Sequence, residues 1–303
     1  MATDMVRRVE VEGEQGMAVD VGDTWLFVAE RGDPGGLPLF VLHGGPGDDH
    51  HEFADYLDPL GVGAGGLRLL LVDQRAQGRG PRDTDPATWT LEQMARDVSA
   101  LAASLGAQQY AVLGHSYGAM VALQHLVDAP GATVATVVSH GVASSGWFAG
   151  LDEALTSFEP VDLRAQVAAS WAAEETVSSR AEFAQLMRDQ APFHFADPRS
   201  VLIADYQRRS AGTWYGPEVL RAMAPDYGAI EVVDRLGTVT QPVLVLAGRA
   251  DRVCPVGAAE QMVAALPDGS LHVFEQSGHM SFVEQNGDYL QVVRDFLNRA
   301  AHR

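Results

Sequence analysis

Short apolar runs, each bounded by glycine, proline or polar residues, recur along the first half of the chain and again near its end. Each run spans four to six residues, which is the length of a strand rather than of a helix. The runs predict strands at residues 25–29, 39–42, 67–72, 110–113, 134–138, 242–247 and 270–274. Because these runs are continuously apolar, they favour strands that are covered on both faces.

Helical patterns lie between the predicted strands. The clearest covers residues 91–105, where apolar side chains recur at steps of three and four, with Thr90 and Gln93 as a capping box and Gly106 as the C-terminal cap. A final amphipathic helix is predicted at 289–300. This alternation predicts an α/β fold with a mostly parallel central sheet, helices on both faces, and an active site at the carboxyl ends of the strands.

The pattern changes between residues 144 and 227, where no apolar strand run occurs. Alanine-rich, helix-favouring stretches at 163–177 and 180–190 occupy this part instead. We therefore predict that residues 1–143 and 228–303 form two parts of one α/β core, and that residues 144–227 are a helical insertion between them.

Composition excludes several classes of chemistry. All 21 basic residues are arginine, so a lysine Schiff base, a lysine-activated serine and a phosphate-binding P-loop lysine are impossible. Forty acidic residues give a formal charge of −19, which disfavours nucleic acids and anionic membranes as partners. The single cysteine, Cys254, forms no intramolecular disulfide, and the chain has no signal-peptide pattern or apolar run of about 18 residues. We expect a cytoplasmic protein.

The strongest chemical signal is the sequence Gly114-His115-Ser116-Tyr117-Gly118, between the strand at 110–113 and an apolar helix at 119–127. This is the G-x-S-x-G motif in the strand-turn-helix context that it requires, with Ser116 as the nucleophile. A serine hydroxyl is a weak nucleophile until a base removes its proton and a third group orients that base. The motif therefore predicts a histidine and an acidic residue later in the chain.

Asp251 and His279 satisfy that prediction. Asp251 follows the strand at 242–247, and His279 follows the strand at 270–274, so both lie at carboxyl ends of strands and in the order serine, aspartate, histidine. His279 is the histidine that combines a loop after a strand with a position after Asp251. For the acid, Asp234 remains the nearest competitor.

An oxyanion hole is predicted at the sequence His43-Gly44-Gly45-Pro46-Gly47, which follows the strand at 39–42. Small residues let backbone N–H groups approach the substrate and stabilise the negative charge that develops during acyl transfer. We assign the N–H of Gly45, with Gly44 as the alternative, together with the N–H of Tyr117. His43 is expected to order the loop.

Two other clusters are assigned no chemistry. Residues 48–51, Asp-Asp-His-His, offer metal-ligand side chains, but consecutive residues rarely converge on one ion, so we interpret them as a solvated helix start. No G-x-G-x-x-G bridges a strand and a helix. The sequence predicts neither a metal nor an organic cofactor, and Cys254 is interpreted as loop packing.

These motifs together resemble the α/β-hydrolase fold and, within it, the proline iminopeptidase family. The HGGPG loop at 43–47 joins a second family motif, Asp-Gln-Arg at 73–75, and Ser116, Asp251 and His279 fall where the family triad falls. The resemblance covers residues 37–127 and 241–283. It implies a serine hydrolase that works through an acyl-enzyme and releases N-terminal residues from small peptides or amides, with the insertion as a cap over the serine.

The resemblance also nominates substrate-binding residues in the cap. Residues 171–175, Trp-Ala-Ala-Glu-Glu, are similar to the W-x-x-W-E cap segment whose glutamate binds the substrate ammonium group, which nominates Glu175 and Glu174. The second tryptophan of that segment is Glu174 here, and a solvated helix face is the competing interpretation of both glutamates. Trp171, Trp147 and Trp214 either line an apolar pocket or pack the cap against the core.

Two alternatives remain open. The same triad would serve a carboxylesterase or lactonase acting on a small neutral metabolite, because function depends on the site and its cap rather than on the fold. A non-catalytic ligand-binding protein on the same scaffold is the alternative of a different class. Haloalkane dehalogenase and epoxide hydrolase chemistry is disfavoured because those relatives have aspartate where this chain has Ser116. The expected partner is a small molecule or short peptide, and the oligomeric state is open.

Overall fold

The structure, a computed structural model, describes residues 5–63 and 65–302. These residues form a nine-stranded sheet with the spatial order β1-β2-β3-β5-β4-β6-β7-β8-β9. Strands β4 to β9 are parallel, and β1 to β3 add an antiparallel edge. The strands are β1 Val6–Val11, β2 Glu14–Asp20, β3 Trp25–Gly32, β4 Pro38–Leu42, β5 Arg68–Asp73, β6 Ala111–His115, β7 Ala135–Ser139, β8 Val243–Gly248 and β9 Gly269–Phe274.

Helices cover both faces of this sheet. On one face α1, α2 and α8 pack through Leu101, Leu123 and Met262, and on the other α10 packs through Val293 and Leu297. The helices are α1 Leu91–Ser104, α2 Tyr117–Asp128, α3 Leu151–Thr156, α4 Val161–Ala172, α5 Arg180–His194, α6 Val201–Arg209, α7 Pro217–Met223, α8 Val256–Ala265, α9 Ser281–Glu284 and α10 Asn286–Ala301. The predicted α/β class, with a mostly parallel sheet covered on both faces, is confirmed.

All seven predicted strands form, with ends that differ by at most a few residues. The hairpin of β1 and β2 was not predicted from the sequence. Its strands pair from Val6 with Val19 to Val11 with Glu14, across a turn in which Glu12 and Gly13 have φ of 52° and 81°. Charged side chains along β1 conceal the strand pattern, and they also protect this exposed edge from pairing with other chains.

The start of α1 shows why its prediction succeeded. The Thr90 hydroxyl accepts a hydrogen bond from the backbone N–H of Gln93 at 3.2 Å, so Thr90 is the N-cap. The Gln93 side chain donates to Asp97 instead of returning to Thr90, so the reciprocal half of the capping box does not form. Gly106, with φ of 66°, follows the helix end as expected.

The insertion between β7 and β8 contains α3 to α7, and its described residues form no strand. A single antiparallel bridge between Ser144 and Glu231 joins its two ends. Small apolar clusters around Phe183 and Phe193 give this segment packing of its own. Its predicted boundaries at 144 and 227 stay a prediction, and we call residues 144–227 the cap.

No helix within the described ranges combines the length and the apolar character that crossing a membrane requires.

Candidate active site

Ser116 lies on the turn between β6 and α2, at the carboxyl edge of the sheet. Its φ of 52° and ψ of −116° place it outside the regions favoured by residues with a Cβ atom. The N–H of Ser116 donates to the carbonyl oxygen of Ser139 at 2.9 Å, which helps to hold the turn. Ser116 lines the cavity above the sheet, as the strand-turn-helix motif predicts.

Two glycines permit this turn. A Cβ atom at Gly114 would lie 2.1 Å from the carbonyl oxygen of Gly118, and a Cβ atom at Gly118 would lie 2.3 Å from the carbonyl oxygen of Leu42. Both obstacles are backbone atoms, so rotation of a side chain cannot relieve them. The close packing of α2 against β4 therefore depends on glycine at these positions.

Gly118→Ala is expected to lower the melting temperature by at least about 5 °C, or to prevent folding, because the added methyl group separates α2 from the sheet. Gly150→Ala is the matched control, since no heavy atom lies within 4 Å of a Cβ atom at Gly150. Thermal unfolding followed by circular dichroism measures both variants. Equal melting temperatures for the two would contradict the close approach at Gly118.

His279 and Asp251 meet above the carboxyl ends of β8 and β9. The Nδ1 atom of His279 lies 2.8 Å from Oδ2 of Asp251, and Oδ1 of Asp251 accepts from the backbone N–H groups of Val253 and Cys254 at 2.9 Å each. Burial favours the neutral acid, but the charge and hydrogen bond of His279 outweigh it and hold the pKa of Asp251 below its ordinary value. The competitor Asp234 is exposed.

Ser116 and His279 line the same cavity, although no hydrogen bond joins their side chains within the described part of the chain. Catalytic hydrogen bonds commonly tighten only in the substrate complex. The structure thus brings the three predicted residues to one edge of the sheet, each on a loop after a different strand.

Three further histidines surround His279. The ring centroids of His115, His194 and His140 lie 5.0, 5.4 and 5.6 Å from that of His279. Burial lowers the pKa values of His140 and His194 to about 3, and that of His115 well below the ordinary value, so all three are neutral near pH 7. These three rings therefore add no positive charge beside His279. His194, contributed by α5 of the cap, was not singled out in the sequence.

The predicted oxyanion loop passes directly against Ser116. A Cβ atom at Gly44 would lie 3.1 Å from Cβ of Ser116. The N–H of Gly44 donates to Oε2 of Glu52 at 2.6 Å and is therefore occupied. The N–H groups of Gly45 and Tyr117 have no hydrogen-bond partner among the described residues, and Gly45 lines the cavity with φ of 100°. The geometry therefore favours Gly45 over Gly44 as a donor.

His43, the first residue of this loop, is held in place by Gln74. Its Nε2 atom accepts from the backbone N–H of Gln74 at 3.2 Å, and the Gln74 side chain donates to the His43 carbonyl oxygen at 2.8 Å. Gln74 belongs to the motif at 73–75, whose Arg75 makes two hydrogen bonds to Asp97 at 2.7 and 2.8 Å. The two sequence motifs thus form one support for the loop.

Residues 48–51 were interpreted as a solvated helix start. A short 3₁₀ helix does begin here, at His50–Phe53 with Asp49 as its N-cap, but the prediction that these residues are solvated is wrong. Asp48, Asp49 and His50 are buried. His50 lies between two carboxylates, with Nδ1 2.6 Å from Asp73 and Nε2 2.8 Å from Glu14. Burial disfavours the charged imidazole, but these carboxylates outweigh it and raise the pKa of His50 to about 10. His50 is therefore a fixed cation beneath the loop.

Asp49 joins the same loop to the cap. Its carboxylate accepts from the backbone N–H groups of His51 and Trp214, at 2.8 Å each, and pairs with Arg79 at 2.5 Å. Arg79 also pairs with Glu14 at 2.8 Å. Side chains of metal-ligand type gather here, and each of the carboxylates Glu14, Asp49 and Asp73 is paired with Arg79 or with protonated His50.

A cavity of about 400 Å³ lies between the core and the cap, and Ser116, His279 and Gly45 form part of its wall. Most of the other lining side chains are apolar or aromatic, among them Trp171, Phe148, Phe183, Tyr206 and Tyr215. Trp147 and Trp214 are not among the lining residues. Trp147 donates to Gln261 at 2.8 Å, and the Trp214 ring lies 3.4 Å below the guanidinium carbon of Arg180. The Trp147 side chain therefore joins the cap to α8 of the core, whereas the Trp214 ring packs against Arg180 within the cap.

The structure separates the two nominated glutamates. Glu174 is buried and lines the cavity, where its carboxylate accepts from Gln190 Nε2 at 2.6 Å and from the Tyr227 hydroxyl. Burial raises its pKa to about 7, although those two hydrogen bonds oppose the shift. Glu175 is exposed and does not line the cavity.

Two carboxyl groups of the cavity wall were not identified from the sequence as site residues. Asp48 and Glu52 follow the oxyanion loop and are 3% and 7% exposed. Burial, with a contribution from Asp49 and Glu174, raises the pKa of Asp48 to about 8, and burial beside Asp48 raises the pKa of Glu52 well above its ordinary value. No periodicity in the sequence distinguishes these carboxyl groups from solvated ones.

Residues 38–285 match the alpha/beta hydrolase fold family, and the chain belongs to that family. It is similar to the proline iminopeptidase of Lactobacillus delbrueckii subsp. bulgaricus, with 27% identity over 86% of this chain and 89% of that protein. Among solved structures, the proline iminopeptidase of Mycobacterium smegmatis is similar, with 25% identity, a TM-score of 0.72, and coverage of 97% of this chain and 98% of that one.

The fold extends to enzymes with other names. An esterase from Exiguobacterium antarcticum has 20% identity and a TM-score of 0.69, with coverage of 97% of this chain and 100% of that one. Its likeness shows the fold alone. Family membership and the similarity to proline iminopeptidases identify this chain as a hydrolase of proline iminopeptidase-like architecture.

Proposed function

We propose that the protein is a serine hydrolase in which Ser116, His279 and Asp251 form the catalytic triad. The observation that carries this proposal is the hydrogen bond of 2.8 Å between His279 and Asp251, above the same cavity into which the strained turn presents Ser116. Asp251 holds the proton of His279 on Nδ1, which leaves Nε2 free to accept the serine proton.

The reaction then follows acyl transfer. His279 Nε2 accepts the proton as Ser116 Oγ attacks the substrate carbonyl carbon, and the N–H groups of Gly45 and Tyr117 stabilise the resulting oxyanion. When the tetrahedral intermediate collapses, the bond to the leaving group breaks and His279 returns the proton to that group. Water, deprotonated by His279, attacks the acyl-enzyme in a second cycle and restores Ser116.

The proposed substrate is a short peptide or amide with a free N-terminal amino group. An ammonium group that enters a largely apolar cavity needs an opposite charge to replace its hydration. Glu174 supplies a buried carboxyl group on the cap side of the cavity, where Tyr227 and Gln190 hold it in place. A cavity of about 400 Å³ suits a small substrate.

The second candidate is an esterase or lactonase that acts on a small neutral metabolite. The predominantly apolar and aromatic wall of the cavity favours it, because a neutral acyl group is bound there without a charge partner. The two candidates share the triad and differ in whether Glu174 contributes to substrate binding.

Glu174→Gln is expected to reduce kcat/KM for L-prolyl 4-nitroanilide by about 10- to 100-fold, the loss associated with a hydrogen bond to a charged group. Glu175→Gln is the matched control and is expected to stay within about 2-fold of the wild type, because an exposed charge contributes little. The assay compares the free amine, its N-acetyl derivative and 4-nitrophenyl acetate as substrates.

We expect the wild type to prefer the free amine to the N-acetyl derivative. If it hydrolyses both equally, and Glu174→Gln changes neither rate, the esterase candidate replaces the aminopeptidase. If none of the three substrates is hydrolysed, the ligand-binding alternative is favoured.

A further inference from the structure

Asp48 is a buried carboxyl group with an unsatisfied oxygen atom among the residues that the structure describes. It is 3% exposed, it lines the cavity, and its Oδ1 atom has no hydrogen-bond partner within the described part of the chain. The adjacent Asp49 provides a contrast, since its carboxylate is bonded to Arg79 and to two backbone N–H groups. Buried polar groups are nearly always paired, so Asp48 requires an explanation.

The groups that face Asp48 do not supply a counter-charge. Two of these groups are further carboxylates, Asp49 on the same loop as Asp48 and Glu174 from the cap. Their negative charges add to the effect of burial and raise the pKa of Asp48. Glu52 lies close enough for its own pKa to be raised by Asp48. Among the described residues, no arginine or histidine forms an ion pair with Asp48, and Arg180 and Arg188 of the cavity wall are exposed.

Asp48 and Glu174 approach the cavity from opposite components of the fold. Asp48 extends from the oxyanion loop of the core, and Glu174 follows α4 of the cap. The negative charge of Glu174 disfavours ionisation of Asp48, and burial disfavours ionisation of both, so one cation bound by both carboxylates would offset these costs. An ammonium group carries three N–H donors and can bind two carboxylates at once.

We propose that Asp48 and Glu174 together bind the amino group of the substrate, so that Asp48 is a specificity-determining residue on the core side of the cavity. This inference rests on the proposed function and extends it to a second carboxylate. A Cβ atom at Gly45 would lie 2.9 Å from the N atom of Asp48, so the carboxylate that binds the amino group and the oxyanion donor belong to one tight turn. Binding of the amino group thereby positions the carbonyl of the same residue at the oxyanion hole.

The test is a binding measurement on the full chain with Ser116→Ala, which prevents turnover. Isothermal titration compares L-phenylalaninamide with 3-phenylpropanamide, which differs from it by the absence of the amino group. We expect Ser116→Ala to bind the amine at least about 10-fold more tightly, and the added Asp48→Asn substitution to reduce that preference below about 3-fold. Addition of Glu175→Gln instead is the matched control and is expected to retain the full preference.

An undiminished preference in the Asp48→Asn protein would overturn the proposal, as would equal binding of the two amides before that substitution. This test measures ligand binding and does not depend on hydrolysis. The turnover assays described above test the proposed function, whereas the difference in affinity between the two amides tests the role of Asp48.

A second measurement protects the test against loss of folding. A carboxyl group whose pKa is raised from 3.8 to about 8 on folding contributes stability at acid pH that is lost as the pH rises towards 8. The melting temperature of the Ser116→Ala protein should therefore fall more between pH 5 and pH 8 than that of Ser116→Ala with Asp48→Asn. An equal fall would show that Asp48 already has a partner, and would count against the proposal.

Discussion

Ser116→Ala is expected to lower kcat for aminoacyl amides and for activated esters by at least about 10⁴-fold, because removal of the proposed nucleophile leaves only substrate binding and the proposed oxyanion hole. The melting temperature should change little. Alanine and serine differ by one oxygen atom at this position, and the Ser116 hydroxyl makes no hydrogen bond to another described residue. Steady-state kinetics and thermal unfolding of the same preparation measure both quantities.

Covalent labelling supplies the control for this prediction. A serine-directed phosphonate should modify the wild type at one site, within the peptide that contains Ser116, and should leave the alanine variant unlabelled. Mass spectrometry of the digested protein identifies the site. Retention by Ser116→Ala of more than about 1% of wild-type activity would show that another group is the nucleophile, because an intact triad is worth far more than a factor of 100.

The strands that position this site could be predicted from the sequence, because burial of a strand on both faces requires a continuous run of apolar residues. A strand such as β6 or β8 is covered on both faces, so every residue in it is buried and the run is continuously apolar. The edge strand β1 is half exposed and carries charged side chains, so its sequence contains no continuous apolar run. The short cap helix α6 has no buried residue and is equally hard to detect.

The triad candidates were predictable for a related reason. Ser116, Asp251 and His279 each follow a recognisable strand, and the carboxyl ends of parallel strands meet at one edge of the sheet. The sequence alone was therefore enough to place these three candidates at the same edge.

The carboxyl groups of the cavity wall could not be predicted in this way. Four consecutive polar residues have the pattern of a solvated segment, and the burial of Asp49 depends on Arg79 and Trp214, which are 30 and 165 positions away in the chain. The sequence also could not determine which of Glu174 and Glu175 faces the cavity. Helix α4 ends at Ala172, so the helical period does not determine which of the two glutamates faces the cavity.

Asp251→Asn is expected to lower kcat by about 10⁴-fold with little effect on stability, and the hydrogen bonds around Asp251 explain why so small a change is so severe. Oδ1 of Asp251 accepts from the N–H groups of Val253 and Cys254, so an asparagine at this position must keep its carbonyl oxygen there. Its NH₂ group then faces Nδ1 of His279.

A donor at that position reverses the histidine tautomer. Nδ1 of His279 must accept a hydrogen bond, so the ring proton moves to Nε2, and Nε2 can no longer accept the proton of Ser116. The defect lies in the direction of the hydrogen bonds rather than in the positions of the side chains. The oxyanion donors and the cavity are unchanged, so substrate binding should persist while kcat falls.

Kinetics and nuclear magnetic resonance separate these two effects. Nitrogen-15 spectra of the histidine rings should show the Nδ1–H tautomer of His279 in the wild type and the Nε2–H tautomer in Asp251→Asn, with the resonances assigned by His279→Gln. Asp234→Asn is the matched control, because Asp234 is exposed and should leave kcat unchanged. If Asp251→Asn kept kcat within about 10-fold of the wild type, Asp251 would not be the residue that orients the base, since orientation of the histidine accounts for a much larger factor.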